Sequence, residues 1–422
     1  MEEGARPPAS ALGPPGGIRH PMASVRVGAL LTAVVGIGAL SIDMSLASLP
    51  EVARRFRCGA PEAELTVTLF LLSFAVAQLA LGPSSDRLGR RRVLLGGLAL
   101  YVVGGLACTV ANSVAVLVAA RVLQGFGAGS GPVVGRAIVR DVYPREHGAR
   151  VLGLMAAAQA LNPVLAPILG GYLQSLVGWR SVFGVQAAAG VVFFLGALRL
   201  VAETAPGGGP TPPGPGALWR DAWALLRDRP FLGYALSVAL VFSGQFAFIS
   251  GSAFVLIEIL GLAPSTYGWC FGFVALGLMS GGYLTARYTV RLGTRALVRA
   301  GALLSAGAGG VMALLVLLGS VHVPGIVAPM YLYAVGAGLV MPSGTAGALG
   351  PHPRVAGLAS ALLGFLQMAG SALYSVGVSR LYDGTALPMT AAIAGSGLGC
   401  LACYGLLLAR APQEPAPAAG PN

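Results

Sequence analysis

Apolar stretches of about 20 residues recur along the whole chain, and no other sequence feature limits its fold as strongly. Each stretch is long enough to cross the roughly 30 Å hydrocarbon core of a bilayer as a helix. Hydrophobic residues make up 55% of the 422 residues and charged residues only 10%, whereas a soluble domain carries about 25% charged residues. The sequence therefore predicts an all-α integral membrane protein.

The apolar stretches predict twelve transmembrane helices. The first half has spans at 27–49, 65–82, 93–111, 114–139, 148–175 and 181–201, and the second half at 231–257, 267–286, 296–318, 323–345, 355–379 and 388–409. A Pro/Gly run at 207–216 separates the halves and precedes an amphipathic stretch around Trp219 and Trp223. We predict a disordered cytoplasmic tail at 1–24, six-helix bundles at 25–201 and 231–410, a cytoplasmic linker at 202–230 and a cytoplasmic tail at 411–422.

The arginines indicate the orientation of the chain in the membrane. All 27 basic residues are arginine, and 20 of them lie in the termini and loops on one side, against 5 in the loops on the other. Basic residues favour the cytoplasmic side, so both termini are predicted to be cytoplasmic, in a bacterial inner membrane.

The absence of lysine excludes a Walker A loop, which needs Lys to reach the phosphates, and any Schiff-base chemistry. The histidines fall outside or at the edges of the apolar stretches, so no cofactor or metal site is predicted. The net charge of +12 comes from scattered arginines without a contiguous basic region, which argues against nucleic acid as a partner. These features predict a non-enzymatic protein with a small-molecule substrate, protons and the lipid bilayer as partners, active as a monomer.

An internal repeat relates the two halves. The sequence Arg87-Leu88-Gly89 follows the second span of the first half, and Arg291-Leu292-Gly293 stands 204 residues later, after the second span of the second half. Parallel six-helix repeats of this kind place a substrate site between them near the bilayer midplane.

The loop Gly82-Pro83-Ser84-Ser85-Asp86-Arg87-Leu88-Gly89-Arg90-Arg91 resembles the signature loop of the major facilitator superfamily. The resemblance implies the fold of that family, with two pseudo-symmetric six-helix bundles, and a gating role for this loop. It also implies that Asp86 pairs with arginines at the cytoplasmic end of span four. Arg136 and Arg140, four residues apart on one helix face, are the candidates. The predicted gating residues are Gly82, Asp86, Arg87, Gly89, Arg90, Arg91, Arg136 and Arg140.

Five further segments resemble the bicyclomycin and chloramphenicol resistance subfamily of drug/proton antiporters. They are ALSIDMSLASLP at 39–50, RVLQGFGAG at 121–129, RAIVRDVY at 136–143, APILGGYL at 166–173 and AGLASALL at 356–363. The resemblance covers roughly residues 27–409 and implies proton-coupled drug efflux.

Two charges within spans mark a candidate proton-coupling site. Asp43 lies seven residues before Pro50, and Arg121 lies eight after Ser113, so both are expected roughly 10–12 Å below the outer surface. A charge at this depth costs at least about 2.5–3.5 kcal/mol on insertion scales, which makes it a functional hypothesis. At equal depth the two side chains are expected to face one cavity, paired directly or through water. Alternatively, Arg121 extends towards the surface and Asp43 only caps a kink.

Several polar residues are candidates to line the substrate cavity. These are Gln78, Gln124, Gln159, Asn162, Gln245, Tyr331 and Gln367, with Tyr333 as a further one. Each is as readily explained as an interhelical hydrogen-bonding residue. Glu258, at the end of span seven, is interpreted as an interfacial carboxylate rather than a proton carrier.

The sequence therefore predicts a proton-coupled exporter of small, largely apolar compounds that works by alternating access. An importer or symporter of a metabolite stays open as an alternative, because the fold does not fix the direction of transport. A membrane receptor without transport is a third possibility.

Overall fold

The chain folds as a set of long apolar helices. The computed structural model describes residues 24–204 and 215–409, and almost all of these residues are helical. The twelve membrane-spanning helices of these residues are α1 (Val25–Phe56), α2 (Ala60–Leu88), α3 (Arg90–Val110), α4 (Val114–Val142), α5 (Arg145–Leu176), α6 (Trp179–Leu200), α7 (Arg229–Ile259), α8 (264–292), α9 (294–317), α10 (Val323–Leu349), α11 (Ala356–Arg380) and α12 (Leu387–Leu408).

Helices α8 and α9 run on without a loop, as the 54-residue segment Pro264–Leu317. A straight helix of that length would measure about 81 Å, far more than the roughly 30 Å of a bilayer core. Gly293 divides it, because its φ of 76° and ψ of 161° are not helical. Gly89 stands at the same place in the first half, between α2 and α3, with φ 102°. The predicted repeat thus has a structural counterpart, since both glycines adopt a backbone conformation that other residues rarely enter.

The predicted spans agree with the helices, with differences of five to seven residues at the outer end of α1, at both ends of α2 and at the inner end of α8. Helices α2 and α8 continue to 88 and 292 rather than to 82 and 286. Helix α1 continues through a 3-10 turn at Leu46–Ser48 to Phe56, and α2 begins at Ala60 rather than at residue 65. Apolar content alone does not mark these ends, because the added turns carry charged residues. The predicted N-terminal tail up to residue 23, the C-terminal tail and most of the Pro/Gly run lie outside the described residues. The amphipathic stretch that follows that run forms a linker helix, Pro215–Arg227.

The packing of buried apolar residues differs between the two ends of the molecule. We call the end where α1 meets α2 the outer end, and the end where α1 begins and α12 ends the inner end. At the outer end one continuous cluster joins both bundles and includes Leu49, Val67, Phe254 and Tyr267. At the inner end the first bundle packs around Leu94 and its neighbours, and the second has a separate cluster of its own. The bundles are therefore joined at the outer end and separate at the inner end.

Glycines allow the close approach that joins the bundles. Gly268 of α8 packs against α5, where an added Cβ would lie 2.5 Å from the Pro167 carbonyl oxygen. Two hydrogen bonds between bundles lie in the same half, one from Trp269 Nε1 to Tyr172 Oη at 3.3 Å and one between Thr68 Oγ1 and Ser375 Oγ at 3.3 Å. With the predicted orientation, this arrangement is an inward-facing conformation.

Candidate functional site

Asp43 lies on a cavity between the two bundles. Its side chain is 7% exposed, and it lines a space of 140 Å³ together with Pro163 of α5 and residues of α7, α8 and α10. Among the described residues, no hydrogen bond or ion pair to the Asp43 carboxylate is found. The 3-10 turn of α1 begins three residues later, at Leu46.

Aromatic rings form much of the wall that faces Asp43. Phe242 and Phe246 of α7 have their ring centroids 5.0 Å apart, and Phe248 and Phe271 have theirs 5.6 Å apart. Gln245 supplies an amide group to the same wall. An apolar wall with few polar groups is typical of small-molecule sites, but 140 Å³ is below the range of about 300–1,000 Å³ usual for them. A drug-sized molecule therefore requires the bundles to move apart.

Arg121 of α4 is fully buried inside the first bundle and connects three helices. Its guanidinium group donates to the Thr66 carbonyl at 3.2 Å and to Gln124 Oε1 at 2.8 Å. It also donates to the Ser41 carbonyl and to Ser45 Oγ, both at 3.4 Å. Its carbon Cζ lies 4.1 Å from the centroid of the Phe70 ring. Every one of these partners is neutral, so Arg121 is held by hydrogen bonds and a cation–π contact rather than by an ion pair.

The structure does not bring Asp43 and Arg121 into one cavity, which corrects the predicted pairing. Arg121 contacts the face of α1 that carries Ser41 and Ser45, one helical turn apart. Asp43 is midway between them in sequence and therefore about 200° around the helix from each. The sequence predicts equal depth in the membrane for the two residues. The direction in which each side chain points depends on the rotation of its helix about its own axis, and depth does not determine that rotation.

Of the predicted cavity residues, Gln245 lies beside Asp43 and the others lie elsewhere. Gln124 donates to Gln186 Oε1 at 3.1 Å, and Asn162 donates to the Gly36 carbonyl at 2.8 Å, so both join helices within the first bundle. Gln159 donates to the Val35 carbonyl at 3.5 Å. In the second bundle the Tyr331 ring stacks on Phe273, and the Tyr333 hydroxyl group donates to the Val241 carbonyl. Gln367 is partly buried on α11, outside the Asp43 cavity. The alternative interpretation, interhelical hydrogen bonding, describes Gln124, Asn162 and Tyr333.

Arg90 is the centre of the predicted gating loop. It is 3% exposed, and its guanidinium group pairs with Asp86 at 2.6 Å and with Asp141 at 3.2 Å. It also donates to Ser85 Oγ at 2.6 Å. Its backbone N–H donates to Glu203 Oε1 at 2.7 Å, which places a carboxylate at the N-terminus of α3, where the helix dipole favours it. One arginine thus connects α2, α3 and α4.

The predicted pairing of Asp86 with Arg136 or Arg140 is wrong in this conformation. Asp86 pairs with Arg90, one helical turn away across the Gly89 junction. Arg136 and Arg140 nevertheless share a cavity of 710 Å³ with Asp86 and Arg90 at the inner end. Gln78 and Gly82 line this cavity too, so Gln78 belongs to the gating region and not to the Asp43 cavity.

The remaining residues of the loop face the inner surface. Arg87 and Arg91 line a second cavity of 710 Å³ beside α6, and Arg91 Nη2 donates to the Leu198 carbonyl at 2.9 Å. An added Cβ at Gly89 would collide with the Glu203 carboxylate. In the second half, Val290 occupies the repeat position of Asp86, so this ion pair has no counterpart there.

Two groups of residues near the bundle interface carry no clear signal in the sequence. The phenylalanines on α7 and α8 are one group, because an aromatic residue in an apolar span has no distinguishing sequence signal. Glu64 is the other: it is 4% exposed in α2 but lies one residue before the predicted span 65–82. Among the described residues, no three His, Cys, Asp or Glu side chains are grouped closely enough to hold a metal ion. Glu258 is exposed at the outer end of α7.

Comparison with known proteins identifies the class to which this fold and site belong. The sequence model of the Major Facilitator Superfamily matches residues 31–375, so the chain belongs to this superfamily of membrane transporters. The chain is 34% identical over 393 residues to the uncharacterized MFS-type transporter YdgK of Bacillus subtilis (strain 168), covering 91% of this chain and 96% of YdgK.

Two further relatives have names that refer to drug resistance. Multidrug resistance protein D of Escherichia coli (strain K12) is 30% identical, with 81% of this chain and 85% of that protein covered. The bicyclomycin resistance protein homolog of Haemophilus influenzae is 27% identical, with 82% and 87% covered. The predicted relation to multidrug and bicyclomycin resistance transporters is thereby confirmed.

Solved structures share the fold at low sequence identity. A crystal structure of the peptide transporter POT in complex with sulfate superposes with a TM-score of 0.73 at 16% identity, covering 91% of this chain and 94% of that chain. A D-xylose–proton symporter gives a TM-score of 0.69 at 15% identity, covering 91% and 98%. These similarities confirm the predicted all-α fold of two six-helix bundles.

Proposed function

We propose that this transporter exports small, largely apolar drugs or metabolites in exchange for protons, by alternating access across a bacterial inner membrane. The observation that carries the proposal is the unpaired Asp43 carboxyl group on an aromatic cavity between the two bundles. The drug-resistance relatives support the substrate class. The 20 to 5 distribution of arginines supports cytoplasmic termini.

Proton coupling follows from the surroundings of Asp43. A charged carboxylate in a small apolar cavity loses its hydration, and Arg121 is turned away and does not compensate for the charge. Asp43 therefore favours the protonated form until water, or a substrate that donates a hydrogen bond or carries a positive charge, enters the cavity. Substrate binding from the cytoplasm would release the proton inwards, and opening to the acidic outside would load the next one.

The aromatic wall and Gln245 account for recognition of varied compounds. Phenylalanine rings bind apolar and aromatic groups without strict geometry, and they attract cations through their faces. A single amide adds one donor and one acceptor. We expect apolar compounds with a positive charge to compete best with the proton on Asp43. The transporter is proposed to act as a monomer, because both bundles that form the cavity belong to one chain.

The test uses inverted membrane vesicles and a drug panel. Expression in an efflux-deficient bacterium should lower its susceptibility to some compounds of the panel. In energised inverted vesicles an exporter accumulates those compounds, and collapse of the proton gradient stops the uptake. Accumulation only in right-side-out vesicles would instead establish a proton symporter that imports its substrate. No flux in either orientation would support a receptor without transport.

A further inference from the structure

A second buried carboxyl group lies on the surface where the bundles join, away from the Asp43 cavity. Glu64 is in the second turn of α2, at the outer end, and is 4% exposed. Its Oε2 atom is buried without a hydrogen-bond partner. The carboxyl group lies beside the hydroxyl group of Ser379 on α11, which belongs to the other bundle. The transport cycle proposed above does not use this residue.

A set of polar contacts continues from Glu64 along the same two helices. One turn further along α2, Thr68 Oγ1 lies 3.3 Å from Ser375 Oγ, which is one turn before Ser379 on α11. Ser375 Oγ also lies 2.7 Å from Ser250 Oγ of α7. Residues four apart lie on one face of a helix, so the two contacts form successive steps between α2 and α11. We call these five residues the outer seam.

The outer seam holds a neutral carboxyl group more readily than a charged one. A buried carboxylate needs a cation or several hydrogen-bond donors, and a buried Oε2 without a partner is costly in the ionised form. Charged groups also lie in the outer halves of the elements packed around Glu64. They are Asp43 on α1, Glu51, Arg54, Arg55, Arg57 and Glu62 near the α1–α2 junction, Arg121 on α4, Glu258 on α7, and Arg380 and Asp383 on or after α11. The titratable groups here that are ordinarily neutral are Cys58 in the α1–α2 loop, Tyr374 on α11 and Tyr382 just after α11. Within the described residues none of the charged groups forms an ion pair with Glu64.

We propose that Glu64 is a second proton-binding site, which is protonated when the outer seam is closed and ionised when α2 and α11 separate. Separation exposes the carboxyl group to external water, which stabilises the charge. An acidic exterior therefore favours closure of the outer end, and a less acidic one favours opening. The proton is taken up from and returned to the outside, so Glu64 controls opening and is not a carrier across the membrane. This inference rests on the alternating access of the proposed function, but not on its substrate or on Asp43.

The test measures opening of the outer seam by hydrogen–deuterium exchange of peptides covering 60–70 and 372–384, without substrate. Asp43→Asn serves as the background, so that the central carboxyl group does not contribute to the pH response. Exchange times are corrected for the intrinsic pH dependence of amide hydrogen exchange. If Glu64 binds a proton ten times more tightly in the closed state than in the open state, the ratio of open to closed molecules changes about tenfold across the titration. We therefore expect exchange in this background to rise about tenfold or more between about pH 5 and about pH 8.

Adding Glu64→Gln should abolish this rise and keep the outer seam closed at both pH values, because the amide cannot ionise. Glu64→Asp should keep the rise. The matched control is Glu62→Gln, which removes an exposed carboxylate two residues away and should leave the rise unchanged. If Glu64→Gln does not insert, Glu64→Ala should give the same loss.

An equal rise with and without the Glu64 carboxyl group would overturn the proposal, and so would the absence of any rise in the Asp43→Asn background. The exchange measurement needs no substrate. If the wild-type protein exports no drug but the pH response of Glu64 is present, the proposed function is refuted and this inference is not.

Discussion

The Asp43 side chain and the guanidinium group of Arg121 lie on opposite sides of α1, so the two intramembrane charges act separately. Arg121 joins α1, α2 and α4 through neutral oxygen atoms, and Asp43 faces the cavity between the bundles. The arginine therefore contributes to the stability of the first bundle, whereas the aspartate is free to exchange a proton with the cavity. The two residues should give different mutant phenotypes.

Asp43→Asn should abolish proton-driven export and keep substrate binding. Asparagine retains the shape of the side chain and one acceptor but cannot carry a proton. Downhill exchange of substrate for substrate in proteoliposomes should survive. Substrate binding in detergent should release protons from the wild type and none from the variant. Glu258→Gln, at an exposed carboxylate of the outer end, is the control and should transport normally. Export against a gradient at the wild-type rate would remove Asp43 from the coupling mechanism.

Arg121→Ala should lower the stability of the protein by about 2–4 kcal/mol, since a hydrogen bond to a charged group contributes roughly 1.5–3 kcal/mol. The thermal midpoint in detergent is the measurement. The double variant Asp43→Asn with Arg121→Ala should show additive effects, because the two side chains do not touch. If Asp43→Asn instead restores the stability lost in Arg121→Ala, the two charges interact after all.

Asp86→Asn should insert normally and slow transport by less than tenfold, because the Asp86 side chain is 56% exposed and an ion pair to a solvent-exposed group contributes about 0.2–1 kcal/mol. Arg90→Ala should slow transport further, since the buried Arg90 also binds Asp141 and Ser85. The measurement is the initial rate of proton-driven uptake into inverted vesicles at equal expression. Arg92→Ala, at an exposed arginine two residues away, is the control. Equal rates for the Arg90 and Arg92 variants would exclude the Arg90 contacts from gating.

Gly268→Val should prevent the outer ends of the bundles from closing. A Cβ atom at this position would lie 2.5 Å from the Pro167 carbonyl oxygen, and the backbone of α5 cannot yield without moving the helix. Hydrogen exchange should rise at the outer ends of α5 and α8, and export should stop. Gly282→Val is a matched control on the same helix, because nothing lies within 4 Å of a Cβ there. Similar exchange in both variants would show that this contact does not close the outer end.

A reporter fused to the C-terminus should show that it is cytoplasmic. The basis is the arginine asymmetry, together with the even number of spans among the described residues. A phosphatase fusion that is active in the periplasm would contradict the proposed orientation.

The sequence determined the twelve spans and the repeat, because hydrocarbon length and internal hydrogen bonding leave apolar chains few alternatives. Gly89 and Gly293 were recognisable in advance, since a junction that needs positive φ selects glycine. Counting residues along each helix also predicts a similar membrane depth for Asp43 and Arg121.

Only the tertiary structure decided on which side of α1 Asp43 and the guanidinium group of Arg121 lie, which arginine pairs with Asp86, and that Glu64 is buried against α11. Helix rotation and the contacts between bundles depend on side chains far apart in the sequence. Counting along one helix does not reveal them.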